Sequence, residues 1–303
     1  AMTLLTGFLT FLLNLVLAGL AAPLAIGLAR LVKARMLGRQ GPPLGQAWRD
    51  LRRLLRKEPV LATTASPVFT AAPVVVLAAT AAAAALVPSV AQGMSGAAAA
   101  DLIGITGLLG LARTSLALAA MDVGTAFGGI GASREMTFAA FSEPALMLVF
   151  LTFALLAGTT NLDLLAGAVR DGGFGLRVSL GLALAALLII AAAETGRVPV
   201  DNPASHLELT MVHEAMLLEY SGWHLALLEF AAALRLVVWV GLLGALFLPF
   251  GMAPAGAGPL AWGLGLLAWA AKLAVAATGI GIVEASMAKM RVFRVPEFLG
   301  VAL

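Results

Sequence analysis

Long runs without a charged side chain are the feature that most constrains how this 303-residue chain can fold. Five such runs occur, at 1–29, 59–100, 144–162, 178–193 and 236–271. About 20 residues of α-helix cross the roughly 30 Å hydrocarbon core of a bilayer. Only 12% of the residues are charged, against about 25% in soluble domains. The sequence therefore excludes an ordinary soluble enzyme and predicts an all-α, polytopic helical membrane protein.

We expect one transmembrane domain over residues 1–303, with two long cytoplasmic loops at 30–66 and 195–224. Alanine, glycine and leucine dominate the predicted spans, which is typical of helices that pack closely within a bilayer. An eighth span is expected to begin at Pro296 and to continue beyond residue 303. The seven predicted spans are 4–29, 67–88, 101–120, 137–158, 176–195, 225–249 and 260–283.

Basic residues are distributed unevenly over the two sides of the predicted bundle. Nine of them lie in the segment 30–57, and five more reach the same side, whereas only Arg170 and Arg177 reach the other side. Lys and Arg accumulate in cytoplasmic loops, so we expect the N-terminus outside and the long loops in the cytoplasm. A bacterial or archaeal inner membrane is the expected location.

The segment 43–57 predicts an amphipathic helix at the cytoplasmic surface. Leu44, Trp48, Leu51 and Leu55 recur at helical spacing, and arginines occupy the remaining face. Such a helix lies in the membrane interface. Two interpretations stay open, a lipid-facing anchor and a docking platform for a soluble partner.

Two compositional facts bear on cofactors and partners. The chain has no cysteine, so it forms no disulfide and cannot hold an iron–sulfur cluster through thiolates; any redox electrons must travel in a partner. The sequence pI is about 9.8 but the net charge is only +3. Membrane orientation explains the basic residues, and we expect contact with lipid and none with nucleic acid.

The segment 194–224 is the most informative stretch, because its acids depart from the basic trend of the cytoplasmic side. If 204–220 is helical, Glu208 and Glu219 share one face. His206 and His213 are seven residues apart, about 10.5 Å of helix, which is too far for one metal ion. We interpret these histidines as buried and hydrogen-bonded, with a proton-relay role open.

Several charged residues fall inside or beside the predicted spans, where each costs roughly 2.5–3.5 kcal/mol on insertion scales. For Glu229, Arg235 and Lys272 we favour structural ion pairs. The remaining acids favour a water-filled proton route, because a low dielectric raises carboxyl pKa values toward neutrality. These acids are Glu143, Glu194, Glu208 and Glu219.

Three motifs resemble a known family. They are Glu194-Thr195-Gly196-Arg197-Val198-Pro199-Val200-Asp201, with Glu208-Leu209 and Glu219-Tyr220-Ser221-Gly222 after it; Arg39-Gln40-Gly41-Pro42; and Gly131-Ala132-Ser133-Arg134-Glu135. Together they resemble the respiratory complex I subunit 1 family. Within it, the chain is most similar to the branch of formate hydrogenlyase subunit 4 and the membrane subunits of group 4 nickel–iron hydrogenases.

The resemblance implies an eight-helix subunit beneath hydrogenase-like large and small soluble subunits, with an iron–sulfur protein and antiporter-like membrane subunits as further partners. Iron–sulfur clusters and a nickel–iron site would lie in partners, and no catalytic, cofactor or metal site is expected in this chain. It further implies that Arg39 and Arg197 pair with acids or with the docked soluble arm. The acids that the resemblance assigns to a proton path are Glu135, Glu143, Glu194, Asp201, Glu208 and Glu219.

The expected function is that of a membrane-anchor and proton-path subunit of a hydrogenase-type energy-converting complex. Three alternatives stay open: a quinone-site subunit of complex I, a non-catalytic scaffold, and a free-standing ion transporter. Paired inverted repeats and broken helices, the marks of a transporter, are not evident in the sequence.

Overall fold

The computed structural model describes residues 2–94, 97–173, 175, 177–201, 211–288, 290–291 and 294–303. Within these ranges the chain is helical, which confirms the predicted fold class. The helices are α1 (Met2–Met36), α2 (Gln46–Leu55), α3 (Pro67–Leu86), a 3₁₀ turn (Ala97–Ala99), α4 (Leu102–Asp122), α5 (Ala126–Ala157), α6 (Leu162–Arg170), α7 (Val178–Glu194), α8 (His213–Leu217), α9 (Gly222–Phe247), α10 (Pro259–Ser286) and α11 (Val295–Gly300).

Each of the seven predicted spans corresponds to one helix of the structure. Among the described residues, α1, α3, α4, α5, α9 and α10 are long and apolar enough to cross a membrane. Helix α7 has 17 residues, the lower end of the length that spans a bilayer. The six-residue α11 begins where the eighth span is expected, and that span stays a prediction.

The fourth predicted span begins too late in the chain, since α5 starts at Ala126 rather than near 137. Thr125 caps this helix by accepting a hydrogen bond from the backbone N–H of Gly128 at 3.3 Å. Hydropathy alone places the first turns of α5 outside the predicted span, because they contain the charged residues Arg134 and Glu135. Tertiary partners accommodate both charges: Arg134 donates to the Met211 carbonyl at 2.7 Å, and Glu135 meets a buried arginine.

The segments expected on the cytoplasmic side also differ in extent from the prediction. Helix α1 continues to Met36, and the basic side chains Lys33 and Arg35 lie in its last turn, where they complement the negative end of the helix dipole. The amphipathic helix is shorter than 43–57 and runs over α2 alone. Its Leu51 is buried, and its Trp48 ring lies 6.1 Å from that of Phe230 on α9.

The acidic loop contains only a short helix in its described part. Helix α8 spans five residues and is followed by a turn at 218–219. The expected helix over 204–220 and the shared face of Glu208 and Glu219 depend on residues 202–210. That segment, with Glu208 and His206, lies outside the described residues.

Helix α9 is at the centre of the bundle. It packs against α1, α2, α3, α6, α7 and α10, and its Trp239 is among the largest fully buried side chains. Helices α3, α4 and α5 pack in sequence on one side, and α1 pairs with α10 on another. The α1–α10 contact is close because Gly281 faces the Ala29 carbonyl, where a Cβ would lie 2.7 Å from that oxygen.

A single asparagine joins α1 to the end of α3. The side-chain amide of Asn14 donates to the carbonyl oxygens of Ala84, Ala85 and Val87 at 3.3, 3.2 and 3.1 Å. The hydroxyl of Ser89 donates to its Oδ1. Because the last carbonyls of a helix lack partners within the helix, this buried amide satisfies groups that lipid cannot.

We expect Asn14→Ala to lower the free energy of unfolding by about 1–3 kcal/mol, since it leaves buried carbonyls unpaired. Unfolding in mixed detergent micelles, followed by tryptophan fluorescence, measures this. Thr137→Ala is the control, because Thr137 is exposed and its hydroxyl donates within its own helix, to the Ser133 carbonyl. A loss no larger than that of the control contradicts the role given to Asn14.

Candidate functional site

One buried arginine joins three acidic side chains. Arg113 lies in the middle of α4 with only 5% of its side chain exposed. Its Nε is 3.6 Å from Oε1 of Glu135, its Nη1 is 2.8 Å from Oε1 of Glu143, and its Nη2 contacts Oε1 of Glu194. A guanidinium has five N–H donors in a fixed planar fork, so one side chain can bond carboxylates from two helices at once.

Helices α5 and α7 bring these acids together. Glu135 and Glu143 are eight residues apart on α5, and Glu194 is the last residue of α7. The hydroxyl of Ser142 donates to Oε1 of Glu194 at 2.8 Å and so ties the two helices beside the arginine. From α9, Arg235 donates to the backbone carbonyl of Glu194 at 3.4 Å.

We name Arg113, Glu135, Glu143 and Glu194 the arginine cluster. It holds three carboxylates around one guanidinium, and even with Arg235 beside it the acids outnumber the cations. Three acids therefore share a single cation. A set of acids with a surplus over its cations can retain a proton in a low-dielectric site.

A small chamber borders the arginine cluster. Its volume is about 40 Å³, and its wall includes Glu135, Glu194, Asp201, His213 and Arg235. A water molecule needs roughly 10–15 Å³ of such space, so about three waters fit among these polar groups. Water in this chamber would connect the carboxyl groups by hydrogen bonds.

Glu143 differs from the other two acids of the arginine cluster. Its side chain is 44% exposed on the surface of the chain, although it lies within the spanning helix α5. Glu135 and Glu143 both contact Arg113. Of the two, Glu135 is the one that lines the chamber.

A second, larger cavity of about 600 Å³ begins on the far side of the chamber. Both basic and acidic side chains form its wall. The charged residues of the described part of the chain that line it are Arg30, Lys33, Arg39, Arg197, Asp201, Glu214, Glu229 and Glu284.

Glu284 forms a second ionic centre in the wall of the large cavity. Its side chain is 4% exposed, with Oε2 3.0 Å from Nζ of Lys33 and Oε1 2.8 Å from Nη1 of Arg197. Arg197, expected to pair with an acid or with a docked partner, pairs with an acid outside the predicted set. Arg39 is exposed and lines the same cavity.

Asp201 and Glu219 have different surroundings. Asp201 is 4% exposed, lines both cavities, and its Oδ2 accepts a hydrogen bond from the backbone N–H of His213 at 3.4 Å. Glu219 lies in the turn after α8 and lines neither cavity. The sixth predicted acid, Glu208, lies outside the described residues.

The ion pairs expected within the sixth and seventh spans do not form as predicted in the described structure. Arg235 bonds the Glu194 carbonyl, and Lys272 donates to the Leu248 carbonyl at 2.5 Å. Glu229 instead lines the large cavity together with Arg30.

The sequence indicates the acids of the site but not the side chain that contacts all three of them. Arg113 falls within the third predicted span, and an arginine within an otherwise apolar span is itself a signal of an interior partner. Lys33 gives no signal, because it is one of nine basic residues in its segment. Within the described residues, no group of three His, Asp or Glu side chains could hold a metal ion.

Fold and site together define a multi-pass helical membrane protein with ionisable side chains buried between its spans. Residues 9–302 match the model of the NADH dehydrogenase family, and the chain belongs to that family. It is 36% identical over 231 residues to hydrogenase-4 component C of Escherichia coli K12, a match that covers 76% of this chain and 72% of that protein.

Two further relatives cover more of the chain. Formate hydrogenlyase subunit 4 of Escherichia coli K12 is 31% identical over 277 residues, 91% of this chain and 89% of the relative. A subunit of the NADH-quinone oxidoreductase of Mesorhizobium japonicum is 30% identical over 84% of this chain and 77% of its own length. The family resemblance predicted from the motifs is confirmed, and membership implies partner subunits.

The fold also matches a solved structure. A chain of the membrane-bound sulfane sulfur reductase, an archaeal respiratory membrane complex, superposes with a TM-score of 0.83 at 24% identity. The match covers 97% of this chain and 96% of that one. This likeness shows that the helical architecture is shared.

We expect Arg113→Met to lower the free energy of unfolding by about 3–5 kcal/mol, because it leaves buried carboxylates without their cation. Glu194→Gln should cost less, since glutamine keeps an oxygen for Ser142. Arg113→Lys is the matched control, as it retains the charge but not the planar fork. Detergent-micelle unfolding ranks the three variants, and an Arg113→Met protein as stable as Arg113→Lys would refute the shared-cation role.

Proposed function

We propose that this chain is the membrane-anchor and proton-path subunit of a group 4 hydrogenase or formate-hydrogenlyase-like energy-converting complex. The observation that carries the proposal is the arginine cluster, in which Glu135, Glu143 and Glu194 share Arg113 beside a chamber that can hold water. The relatives named hydrogenase-4 component C and formate hydrogenlyase subunit 4 support this branch of the family.

The path begins in the large cavity and passes through the chamber to the arginine cluster. A proton enters among the acids around Asp201, reaches Glu135 or Glu194 through chamber water, and moves past Arg113 to Glu143. The exposed side chain of Glu143 within α5 then faces a neighbouring membrane subunit. An antiporter-like subunit against this face would receive the proton, because a carboxyl group at membrane depth needs a polar or protein environment.

Coupling to redox chemistry is electrostatic in this proposal. Hydrogenase-like large and small soluble subunits and an iron–sulfur protein dock over the large cavity and hold the clusters and the nickel–iron site. A change of charge in that arm alters the proton affinity of the carboxyl groups below it, since interactions in a low dielectric are strong and poorly screened. In this arrangement the chain itself holds no redox cofactor.

The proposed orientation follows from the charge distribution. The basic segment 30–57, helix α2 and the large cavity all belong to one end of the bundle, since Arg30, Lys33 and Arg39 line that cavity. The positive-inside trend favours this end in the cytoplasm and the N-terminus outside, in a bacterial or archaeal inner membrane.

A second candidate is the quinone-site subunit of complex I. The likeness to a subunit of NADH-quinone oxidoreductase and the 600 Å³ cavity favour it. Quinone retained by the purified complex, or inhibition by quinone analogues, would select this candidate over the hydrogenase branch.

Glu194→Gln and Glu143→Gln test the proton path. Each preserves the shape of the side chain but cannot take up a proton, so we expect proton translocation to be lost. The complex should still assemble and reduce an artificial electron acceptor. Proton uptake by sealed vesicles that contain the whole complex is the measurement.

Glu58→Gln is the matched control, because Glu58 is exposed in the loop before α3 and lines neither cavity. It should behave as the unmodified chain. Normal translocation in both Glu194→Gln and Glu143→Gln would eliminate the proposed path.

Docking of the soluble arm is tested at Arg39. We expect Arg39→Glu to reduce the soluble subunits, nickel and iron that copurify with the chain in gentle detergent, because it reverses a charge at the mouth of the large cavity. Arg177→Glu, at the start of α7 on the opposite side, is the control. Equal retention in both variants would contradict docking at this surface.

A further inference from the structure

The chamber and the large cavity meet at a common wall. Five residues line both spaces, and two of them, Asp201 and His213, have ionisable side chains. The hydroxyl of Thr195, a third member of the wall, donates to the Ala191 carbonyl at 2.6 Å. The residues common to both cavities are Thr195, Gly196, Asp201, His213 and Ala232.

His213 is held at this wall by its backbone. It is the first residue of α8, and its N–H donates to Oδ2 of Asp201 at 3.4 Å. Gly196 lies opposite, with φ at +59°, and a Cβ built there would be 4.0 Å from Cβ of His213. The imidazole therefore adjoins a turn without a side chain and borders both cavities.

The groups around His213 come from four parts of the chain. Four other ionisable side chains line the chamber with it: Glu135 on α5, Glu194 at the end of α7, Asp201 in the following loop and Arg235 on α9. Burial and, to a smaller extent, the Arg235 charge lower the pKa of His213 to about 4, against the opposing charge of Asp201. At neutral pH the ring is thus uncharged, with one nitrogen as donor and the other as acceptor.

A neutral imidazole can accept a hydrogen bond on one side while donating one on the other. Carboxyl groups need their own proton to donate, whereas the histidine ring carries both functions at all times near pH 7. The Thr195 hydroxyl also donates and accepts, but it donates to the Ala191 carbonyl and is not a base near pH 7, so the ring is the side chain of the wall suited to accept a proton on one side and release one on the other. It stands between the acids and bases of the large cavity and the acids of the chamber.

We propose that His213 is the relay that carries protons across the wall between the two cavities. One ring nitrogen accepts a proton from the large cavity while the other releases its proton to chamber water, and rotation of the ring restores the starting tautomer. The ring is neutral before and after, and no electron is transferred. This inference rests on the proposed proton path and assigns its entry step.

The test uses the whole complex in sealed vesicles, with proton uptake and redox turnover recorded separately. His213→Ala should slow proton translocation by about 100-fold, the lower end of what a positioned proton-transfer group contributes. Added imidazole should restore it, since the large cavity is wide enough to admit the free base. Pyrazole, of the same size but far less basic, should not.

His213→Gln provides a second measurement, because glutamine fills the site and forms hydrogen bonds but does not act as a base. It should show the same loss and no rescue by imidazole. If His213→Ala does not assemble, the Gln variant decides alone, and normal translocation in it overturns the proposal. Rescue of His213→Ala by pyrazole as well as by imidazole also overturns it, since that result indicates a space-filling role.

Glu194→Gln in the same preparation distinguishes a failure of the His213 relay from a failure of the proton path. Loss of translocation in Glu194→Gln but not in the His213 variants refutes the relay and leaves the proton path standing. Normal translocation in Glu194→Gln and also in Glu143→Gln refutes the path itself. Loss in both, with imidazole rescue confined to His213→Ala, supports the relay.

Discussion

The guanidinium of Arg113 is buried between apolar helices, where an unpaired ion would cost several kcal/mol to desolvate. The chain meets this cost by bringing carboxylates from α5 and α7 to the same point, so the positions of both helices depend on it. Helix α5 must extend back to include Glu135, and α7 must end with Glu194 beside Ser142. The chamber lies beside this interaction, with Glu135 and Glu194 in its wall.

The two ionic centres of the molecule differ in their balance of charge. Glu284 has two cations, Lys33 and Arg197, within 3.0 Å, and these ion pairs join α1, α10 and the loop after α7. In the arginine cluster the ratio is reversed, because three acids share Arg113. The first arrangement holds helices together, and the second leaves more acids than the one cation they share.

Much of this architecture could be predicted from hydropathy, because lipid requires each span to satisfy its own backbone hydrogen bonds as a helix. The fourth predicted span shows where hydropathy alone misplaces the start of a helix. Arg134 and Glu135 look like loop residues in the sequence, yet they lie in α5 because Met211 and Arg113 satisfy them. Likewise, the acids Glu143 and Glu194 could be predicted from the sequence. Their common partner Arg113 could not, because it is about 30 residues or more away along the chain.

The sequence by itself determined the class of protein, the positions of its apolar helices, the basic end of the bundle and the acids that an intramembrane site would use. Those properties are local, set by side-chain transfer energies summed over one turn or one span. Only the tertiary structure decided which charges meet, that Arg197 faces Glu284, and that His213 stands at the wall between two cavities. Such contacts depend on how helices cross and how loops close over them, and this geometry is fixed by packing across the whole bundle.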